Sequence, residues 1–343
     1  MVSVYYGTRP EYIKVCRLYY RLKELSVACE LVKVCQHSDL IEYCDSDRDV
    51  MVDTQNSHRL NSIVSSCLND EVINSDTKLV IVQGDTATAF AVSLNAFNRK
   101  VPIAHVEAGL RTYDLCNPFP EEAYRRLISV MAADHFCVSS MGKDILEREK
   151  VQGEIHVVGN TALDNIVSKR DAVEYQNEVL VTLHRRENRD QMKDWLLEIA
   201  KLAEEKQHIR FVLPVHPSVD KSVIDEIQRL SLPNFVIVSP LTHQDTIEIM
   251  RKCLYVITDS GGIQEESSFL RKKSIVCRKT TERQEGLGIF SVLCKEPKLL
   301  KNCVSSFIET SVIPSDDVCP YGDGSAVERI AQIIKGKYYE VLS

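Results

Sequence analysis

The chain has 343 residues, more than a single hydrophobic core usually serves, so its length predicts two domains. Lysine and arginine total 42 against 49 acidic residues, and the net charge of −7 argues against a general nucleic-acid-binding protein, which must neutralise phosphates. No apolar run approaches the roughly 20 residues that cross a bilayer, and Met1 leads directly into an apolar segment without a basic leader. We therefore expect a cytoplasmic protein with neither nucleic-acid nor membrane partners.

Short apolar segments alternate with amphipathic segments through the first half of the chain. The apolar segments predict strands and are VSVYYG, ELVKVC, KLVIVQG, VPIAHVEAG, HFCVSS and IHVVGN. Helical periodicity is present between them in PEYIKVCRLYYRLKEL, TATAFAVSLNAFNRK, PEEAYRRLISVMAA and MGKDILEREK. Continuous apolar strands are buried on both faces, which is typical of a parallel sheet covered by helices.

The second half repeats this alternation. Its predicted strands are EVLVTLH, IRFVLPVH, FVIVSP, LYVITDS and SIVCRK, and its predicted helices are RDQMKDWLLEIAKLAEEK, SVDKSVIDEIQRL, THQDTIEIMRK and GGIQEESSFLRK. Two such series predict an α/β protein with two doubly wound Rossmann-like domains facing a central cleft. We place the domains at 1–167 and 168–325, because the polar segment SKRDAVEYQNE separates the two series. The final segment, 326–343, predicts a helix that packs back on the first domain.

The twelve cysteines are spread along the chain and form no C-x-x-C pair. Many lie in apolar patterns, as Cys137 does in HFCVSS. This spacing favours reduced, mostly buried thiols over disulfides, a zinc site or a catalytic thiol.

The segment TDSGGIQEE predicts an anion site. In parallel doubly wound sheets, ligands bind at the carboxyl ends of the strands. Ser260, Gly261 and Gly262 follow such a strand and open a helix, where backbone N–H groups and the helix dipole favour a phosphate. Glu265 and Glu266 lie one turn further on, where a carboxylate can accept hydrogen bonds from ribose hydroxyls. An ordinary capped helix start, with acids that favour the dipole, is the alternative.

Basic residues collect at the predicted strand ends although the whole chain is acidic. They are Arg9, Lys14, Arg111, Arg185 and Arg283. Such a concentration favours a multiply charged anion such as a diphosphate. Taken singly, Arg9 and Lys14 are equally compatible with a solvent-facing helix start.

Three carboxylates are candidates for proton transfer. Asp85 is also compatible with a helix N-cap, and Glu121 with a first-turn acid beside a proline. Glu107 extends the apolar segment VPIAHV, where burying a charge is costly, so a structural role explains it less well. His184 and His216 each end a strand of the second domain and are positioned to close over these acids, although strand-end histidines are often structural.

Taken together, the motifs resemble those of the non-hydrolysing UDP-N-acetylglucosamine 2-epimerase family. The matching segments, in family order, are GTRPEYIK, GDTATAF, HVEAGLRT with PFPEEAYRRL, VGNTALDN, HRREN, TDSGGIQEE, TTERQE and PYGDG. The resemblance runs from residue 2 to about residue 335. It implies a glycosyltransferase-B-like fold, a homodimer, and reversible conversion of UDP-GlcNAc to UDP-ManNAc. The implied chemistry is elimination of UDP to a 2-acetamidoglucal and re-addition, with no metal or redox cofactor.

The resemblance also implies residue roles. The positions that match catalytic residues are Asp85, Glu107, Glu121, His184, Arg9 and Lys14. The expected UDP-binding residues are Ser260, Gly261, Gly262, Glu266, Arg283 and His216. A cleft that eliminates and re-adds a diphosphate needs proton-transferring acids on one side and cations on the other.

The sequence departs from the family pattern at several positions. Leu183 stands where the family usually has glycine, Tyr124 where asparagine is common, and Gln284 where proline is usual. The segment QHSDL keeps Gln36 and His37 of a family motif for activation by a second substrate molecule but lacks its arginine, so we expect weak or absent activation.

Other activities stay open at this point. A related branch acts on diacetamido-uronic acid nucleotides, hydrolysing relatives have a different first motif, and glycosyltransferases share the fold. A non-catalytic nucleotide-sugar-binding protein would retain the glycines and cations without needing all three acids.

Overall fold

The computed structural model describes residues 1–35, 44–52, 58–166, 176–215, 219–310 and 312–338. The chain divides into two compact units. One comprises Met1–Ser168 together with Gly322–Ser343, and the other comprises Lys169–Tyr321.

The first unit contains a seven-stranded sheet in the order β3-β2-β1-β4-β5-β6-β7. Its strands are β1 (Val2–Tyr6), β2 (Cys29–Cys35), β3 (Arg48–Met51), β4 (Leu79–Gln83), β5 (Ile103–Ala108), β6 (Asp134–Cys137) and β7 (Glu154–Val157). All neighbouring strands are parallel. The order reverses between β1 and β4, and loops that follow these strands form the usual ligand-binding edge of such sheets.

Helices cover both faces of this sheet. They are α1 (Arg9–Glu24), α2 (Arg59–Cys67), α3 (Ala87–Asn98), α4 (Glu121–Met131) and α5 (Ser140–Glu149). Neighbouring side chains of β1 point to opposite faces of the sheet, because side chains alternate along a strand. Tyr6 packs in the core on the α1 face, and Tyr5 packs in the core formed with α2, α3 and α4.

The second unit contains a six-stranded sheet in the order β10-β9-β8-β11-β12-β13, again with only parallel pairs. Its strands are β8 (Glu178–Thr182), β9 (Arg210–Pro214), β10 (Phe235–Val238), β11 (Tyr255–Thr258), β12 (Lys273–Cys277) and β13 (Ser291–Cys294). Its helices are α6 (Met192–Glu205), α7 (Lys221–Arg229), α8 (His243–Lys252), α9 (Gly261–Phe269) and α10 (Leu300–Cys303). Trp195 of α6 is buried in its core.

The C-terminal helix α11 (Ala326–Tyr338) belongs to the first unit and packs beside α1. Val327, Ile330 and Ile334 enter the core on that face of the sheet. The buried carboxylate of Asp164 accepts hydrogen bonds from the first backbone N–H groups of α11, from Ala326 at 3.2 Å and Val327 at 2.9 Å. The helix start is therefore fixed by a side chain distant in sequence.

The predicted fold class, two doubly wound parallel α/β domains, is confirmed. The sequence prediction lacked β3, β13, α2 and α10. β3 and β13 are edge strands of four residues each, paired on one side only, and β3 carries charges that interrupt the apolar pattern. Across the described part of the chain, no helix is long and apolar enough to cross a membrane.

Candidate active site

Glu107 lies at a bend near the end of β5. Its backbone has φ +66°, a left-handed conformation that is strained for a residue with a side chain, and the register with β6 shifts between Val106 and Ala108. Its carboxylate contacts the Lys14 ammonium group and accepts a hydrogen bond from the Gln83 side-chain amide. Glu107 is 8% exposed. The bend therefore holds a buried carboxylate, paired with a cation, at the ligand-binding edge of the sheet.

Asp85 follows β4, the neighbouring strand, and forms an ion pair with Arg125 of α4. The N-cap of α3 is Thr86, whose hydroxyl accepts a hydrogen bond from the backbone N–H of Ala89 at 3.1 Å. The N-cap interpretation of Asp85 is therefore wrong, and its carboxylate is available for the ion pair. Arg125, which the sequence analysis did not single out, lies one helical turn after Glu121, so the repeated acidic and basic residues of PEEAYRRL were the signal for it.

The two adjacent glutamates at the start of α4 have different environments. Glu121 is half-buried, whereas Glu122 is fully buried and accepts hydrogen bonds from the backbone N–H groups of Thr112 and Tyr113 at 3.0 and 3.1 Å. Glu122 therefore fixes the loop before the helix, and Glu121 is the one accessible to a ligand. The departure at Tyr124 is accommodated by stacking on Phe90, with ring centroids 4.8 Å apart.

Glu11 joins the loops after β1 and β4. Its buried carboxylate accepts hydrogen bonds from the Gly7 N–H at 3.0 Å, the Thr8 hydroxyl at 2.8 Å and the Thr86 hydroxyl at 2.6 Å. Burial raises the pKa of Glu11 to about 6, against the opposing effect of these hydrogen bonds. Glu11 thus connects the segment that carries Arg9 and Lys14 to the segment that carries Asp85. Glu11 was not among the site residues predicted from the sequence, although it stands in GTRPEYIK.

His105 lies on β5, two residues before Glu107, and is fully buried. Its Nε2 atom is 2.8 Å from the carbonyl oxygen of Gly84. Burial lowers the pKa of His105 to about 3, so the ring is neutral near pH 7. Since Nε2 faces a carbonyl oxygen, the neutral ring donates from Nε2, and His105 supports the loop before Asp85.

In the second unit, Ser260 is the N-cap of α9, and its hydroxyl accepts a hydrogen bond from the backbone N–H of Ile263 at 3.5 Å. The two glycines that follow have different surroundings. A Cβ atom at Gly261 would lie 2.7 Å from Nη1 of Arg283. A Cβ atom at Gly262 would have, among the described residues and apart from the nearby helix backbone, only the Ser260 hydroxyl within 4 Å, at 3.9 Å. The backbone is therefore packed on the Gly261 side and open on the Gly262 side, where an anion can approach.

Arg283 is held against this turn by carboxylates. Its Nε atom donates to Glu265 at 2.8 Å, and its Nη1 atom contacts Glu282. Glu282 also accepts a hydrogen bond from Arg278 at 2.9 Å. Arg283, expected as a phosphate contact, is thus buried against Gly261 and paired with two acids, and it supports the helix start.

Asp259 organises the loop after β8. Its fully buried carboxylate accepts hydrogen bonds from the backbone N–H groups of His184 at 3.1 Å and Arg185 at 2.9 Å, and from the side-chain amide of Asn188 at 3.0 Å. The Nδ1 atom of His184 lies 3.8 Å from the same carboxylate. Asp259, which the sequence analysis did not assign, therefore brings the HRREN loop next to the start of α9. Leu183, which stands where the family usually has glycine, packs its side chain in the hydrophobic core of this unit.

Glu266, the expected ribose-binding acid, accepts a hydrogen bond at Oε1 from Nε2 of His243, at 2.7 Å. Glu266 is 5% exposed. Gln284, another departure from the family pattern, is exposed and lies next to Arg283. The predictions for His216 and for the Gln36 and His37 motif lie outside the described residues.

Arg111 was grouped with the cations facing an anion, and this was wrong. Its guanidinium group is buried and donates to Glu149 at 3.0 and 2.8 Å, to the Ser129 hydroxyl and to the Leu110 carbonyl oxygen. With these partners, the Arg111 side chain stabilises the fold and does not face a ligand. It ties the loop after β5 to α4 and α5.

Asp134, Glu154 and His156 form a group whose donor atoms are close enough to hold a metal ion. However, the Lys337 ammonium group lies 2.8 Å from Asp134 and 2.9 Å from Glu154. A cation from α11 is therefore already paired with both carboxylates. The group anchors the C-terminal helix, and its geometry does not favour a metal site.

The fold and these residues define a class: a two-unit α/β enzyme for a substrate that carries phosphate, with buried carboxylates in one unit and a glycine-bearing helix start in the other. A family model described as UDP-N-acetylglucosamine 2-epimerase matches residues 34–335. The chain belongs to this family.

Individual relatives agree over nearly the whole length. The UDP-N-acetylglucosamine 2-epimerase of Campylobacter jejuni is 33% identical, covering 99% of this chain and 98% of its own. The protein of the same name from Salmonella borreze is 35% identical, covering 95% of both chains. The crystal structure of UDP-GlcNAc 2-epimerase from Neisseria meningitidis bound to UDP-GlcNAc has a TM-score of 0.85 at 30% identity and covers 98% of this chain and 100% of that chain.

Proposed function

We propose that this protein interconverts UDP-GlcNAc and UDP-ManNAc by inverting the configuration at C2 of the sugar. The observation that carries the proposal is the contact of the buried Glu107, at its strained bend, with the half-buried Lys14, while the ion pair of Asp85 and Arg125 follows the neighbouring strand. Strained backbone is retained where a function needs the side chain in one position. The proposed substrate follows from membership in the UDP-N-acetylglucosamine 2-epimerase family.

The reaction requires acid–base groups and a stabilised leaving group. In the first half, a carboxylate removes the C2 proton, the C1–O bond breaks, a C1=C2 double bond forms, and UDP leaves with the bonding electron pair. In the second half, UDP adds back to C1, and a proton is delivered to C2 from the opposite face. Asp85, Glu107 and Glu121 are the proposed proton-transferring groups, and Arg9 and Lys14 the proposed cations.

The second unit supplies the proposed nucleotide contacts. The open backbone at Ser260 and Gly262 suits the diphosphate, because N–H groups at a helix start favour an anion. Glu266 is proposed to accept from the ribose. His184, held by Asp259, is proposed to stabilise the charge on the departing diphosphate. Arg283 and Gly261 belong to the same proposed UDP site and act through the position of the helix start, and His216 is kept as a proposed contact.

The test is proton NMR of the purified protein with UDP-GlcNAc in D₂O. We expect UDP-ManNAc to form with deuterium at C2. Free ManNAc with UDP would show hydrolysis instead. Turnover of a diacetamido-uronic acid nucleotide but not of UDP-GlcNAc would place the protein in the related branch, and absence of exchange at C2 in both substrates would refute epimerisation.

A matched pair of lysine variants tests the site assignment. Lys14→Met removes the cation beside Glu107, and we expect deuterium incorporation to slow by about 100-fold or more. Lys33→Met removes a buried lysine of β2 in the same unit, whose ammonium group lies 3.3 Å from the carboxylate of Asp49 on β3. The control is expected to keep its rate while losing stability. Equal losses of activity in the two variants would refute a specific role for Lys14.

We also propose that the protein forms a homodimer through the first unit. Phe97, Leu127 and Val130 are exposed on α3 and α4, which pack against each other, and exposed apolar side chains gathered in one region favour an interface. Val130→Glu is expected to yield a monomer by size-exclusion chromatography with light scattering. Val157→Glu, at an exposed valine of edge strand β7, is the control and should keep the dimer. A dimer in both variants would exclude this surface.

We propose the cytoplasm as the location. Every cysteine whose side chain the structure describes is a free thiol. Free thiols are typical of reducing compartments, where disulfides rarely persist. Cell fractionation with an antibody to the native protein tests this, and recovery outside the cytoplasmic fraction would contradict it.

A further inference from the structure

The two oxygens of the Glu266 carboxylate are in unlike environments. Oε1 is 2.7 Å from Nε2 of His243. Oε2 is buried and, among the residues that the structure describes, has no hydrogen-bond partner. A buried acceptor without a partner loses its hydration without compensation, so this atom indicates a donor that arrives from outside the chain.

The contact with His243 determines which oxygen of the Glu266 carboxylate remains available to a ligand. An ionised carboxylate can only accept, so the Nε2 atom of His243 carries the hydrogen in this contact. His243 is the first residue of α8, whose N-cap Thr242 accepts from the backbone N–H of Asp245 at 3.1 Å. The imidazole therefore projects from a fixed helix start and holds Glu266 in one orientation.

The position of Glu266 along α9 suits a nucleoside. It lies five residues after Gly261, or about 7.5 Å along the axis at 1.5 Å per residue. A phosphate at the start of α9 and a hydroxyl donor at Glu266 can thus belong to one nucleotide. A ribose supplies hydroxyl donors, whereas a deoxyribose lacks one of them.

We infer that His243 is a positioning residue for nucleotide recognition, which engages one oxygen of Glu266 so that the other receives a single ribose hydroxyl of UDP. The inference rests on the proposed function, because that function supplies the nucleotide. It adds a residue on a different helix from the glycine turn and Glu266. It also makes the UDP site selective for one of the two ribose hydroxyls.

Calorimetric titration with UDP, 2′-deoxy-UDP and 3′-deoxy-UDP tests this on the full chain. One deoxy analogue is expected to bind about 10- to 100-fold more weakly than UDP, because a hydrogen bond to a buried charged group is lost. The other analogue should bind within about threefold of UDP, because Oε2 is the one oxygen of Glu266 without a partner among the described residues. Equal binding of all three nucleotides would overturn the inference and leave the proposed function standing.

Variants separate a positioning role from a structural one. His243→Phe keeps an aromatic ring but removes the donor, and it should reduce the discrimination between UDP and the weaker analogue to about threefold or less. His243→Gln keeps a side-chain N–H and should restore part of the discrimination. Gln244→Ala changes the exposed neighbouring residue of the same helix turn and should behave as the wild type.

The outcomes are distinguishable from failure of the proposed function. If the wild type binds none of the nucleotides, the proposed function fails first. If His243→Phe binds UDP and retains the full discrimination of the wild type, His243 does not position Glu266. If Glu266→Gln also retains the discrimination between UDP and the weaker analogue, then Oε2 of Glu266 bonds to water and the ribose binds elsewhere.

Discussion

The two adjacent glycines at the start of α9 should respond in opposite ways to the same added methyl group. In Gly261→Ala the new Cβ atom would lie 2.7, 2.8 and 2.9 Å from the Nη1, Cζ and Nε atoms of Arg283. The guanidinium group cannot move away freely, because Glu265 and Glu282 hold it. In Gly262→Ala the nearest atom of the described residues, outside the local backbone, is the Ser260 hydroxyl at 3.9 Å.

Overpacking of this kind costs about 1 to 3 kcal/mol of the free energy of unfolding. For a domain of this size the melting temperature should fall by about 2 to 10 °C. Gly262→Ala should melt at or slightly above the wild-type temperature, because alanine favours a helix over glycine by up to about 1 kcal/mol. Its methyl group occupies the space through which an anion approaches, so UDP should bind at least about tenfold more weakly.

Fluorescence of Trp195 gives a direct assay, since the chain has one tryptophan and it is buried in the second unit. Melting is followed by this signal, and UDP affinity is measured by titration on the same samples. Equal melting temperatures for the two variants would refute the packing argument. Wild-type UDP affinity in Gly262→Ala would show that no phosphate occupies this turn.

Two further predictions concern buried carboxylates. Because the pKa of Glu11 is raised from 4.5 to about 6 in the folded protein, its contribution to stability is present below pH 4.5 and is lost as the pH rises through 6, a change of about 2 kcal/mol. Urea unfolding of Glu11→Gln should lack this component, and pH profiles parallel to wild type would contradict it. Asp259→Ala should cost about 2 to 4 kcal/mol by Trp195 fluorescence, because buried N–H donors lose their acceptor. Asp220→Ala, at the exposed N-cap of α7, should cost clearly less stability than Asp259→Ala, and equal losses in the two aspartate variants would be inconsistent with a specific Asp259 network.

Strands buried between helices were predictable because burial on both faces leaves a continuous apolar segment. β4 reads LVIVQ and every residue is buried. β3 reads RDVM with alternating exposure, and it is held by pairing with β2, a contact between distant segments that leaves little local signal. Both strands that the local pattern did not predict, β3 and β13, are edge strands, whereas the apolar edge strands β7 and β10 were predicted.

Candidate site residues were predictable where a motif places chemistry directly after a strand. Lys14 and Glu107 were both named from the sequence, and the tertiary structure brings them into contact. The same reasoning also selected Arg111, whose guanidinium group instead forms an ion pair with Glu149. A strand-end position predicts that a charge is near the binding edge, but the partner that the charge faces depends on which helix packs there.

The sequence by itself determined the class of fold, the order of most of its elements and the residue types at the strand ends, because hydrophobic periodicity and glycine or proline placement are local properties. Only the tertiary structure decided which charges are paired. Glu11, Arg125, Asp259 and His243 each gain their roles from partners many residues away. The partner of a buried charged group depends on which residues lie near it in space, and only folding brings those residues together.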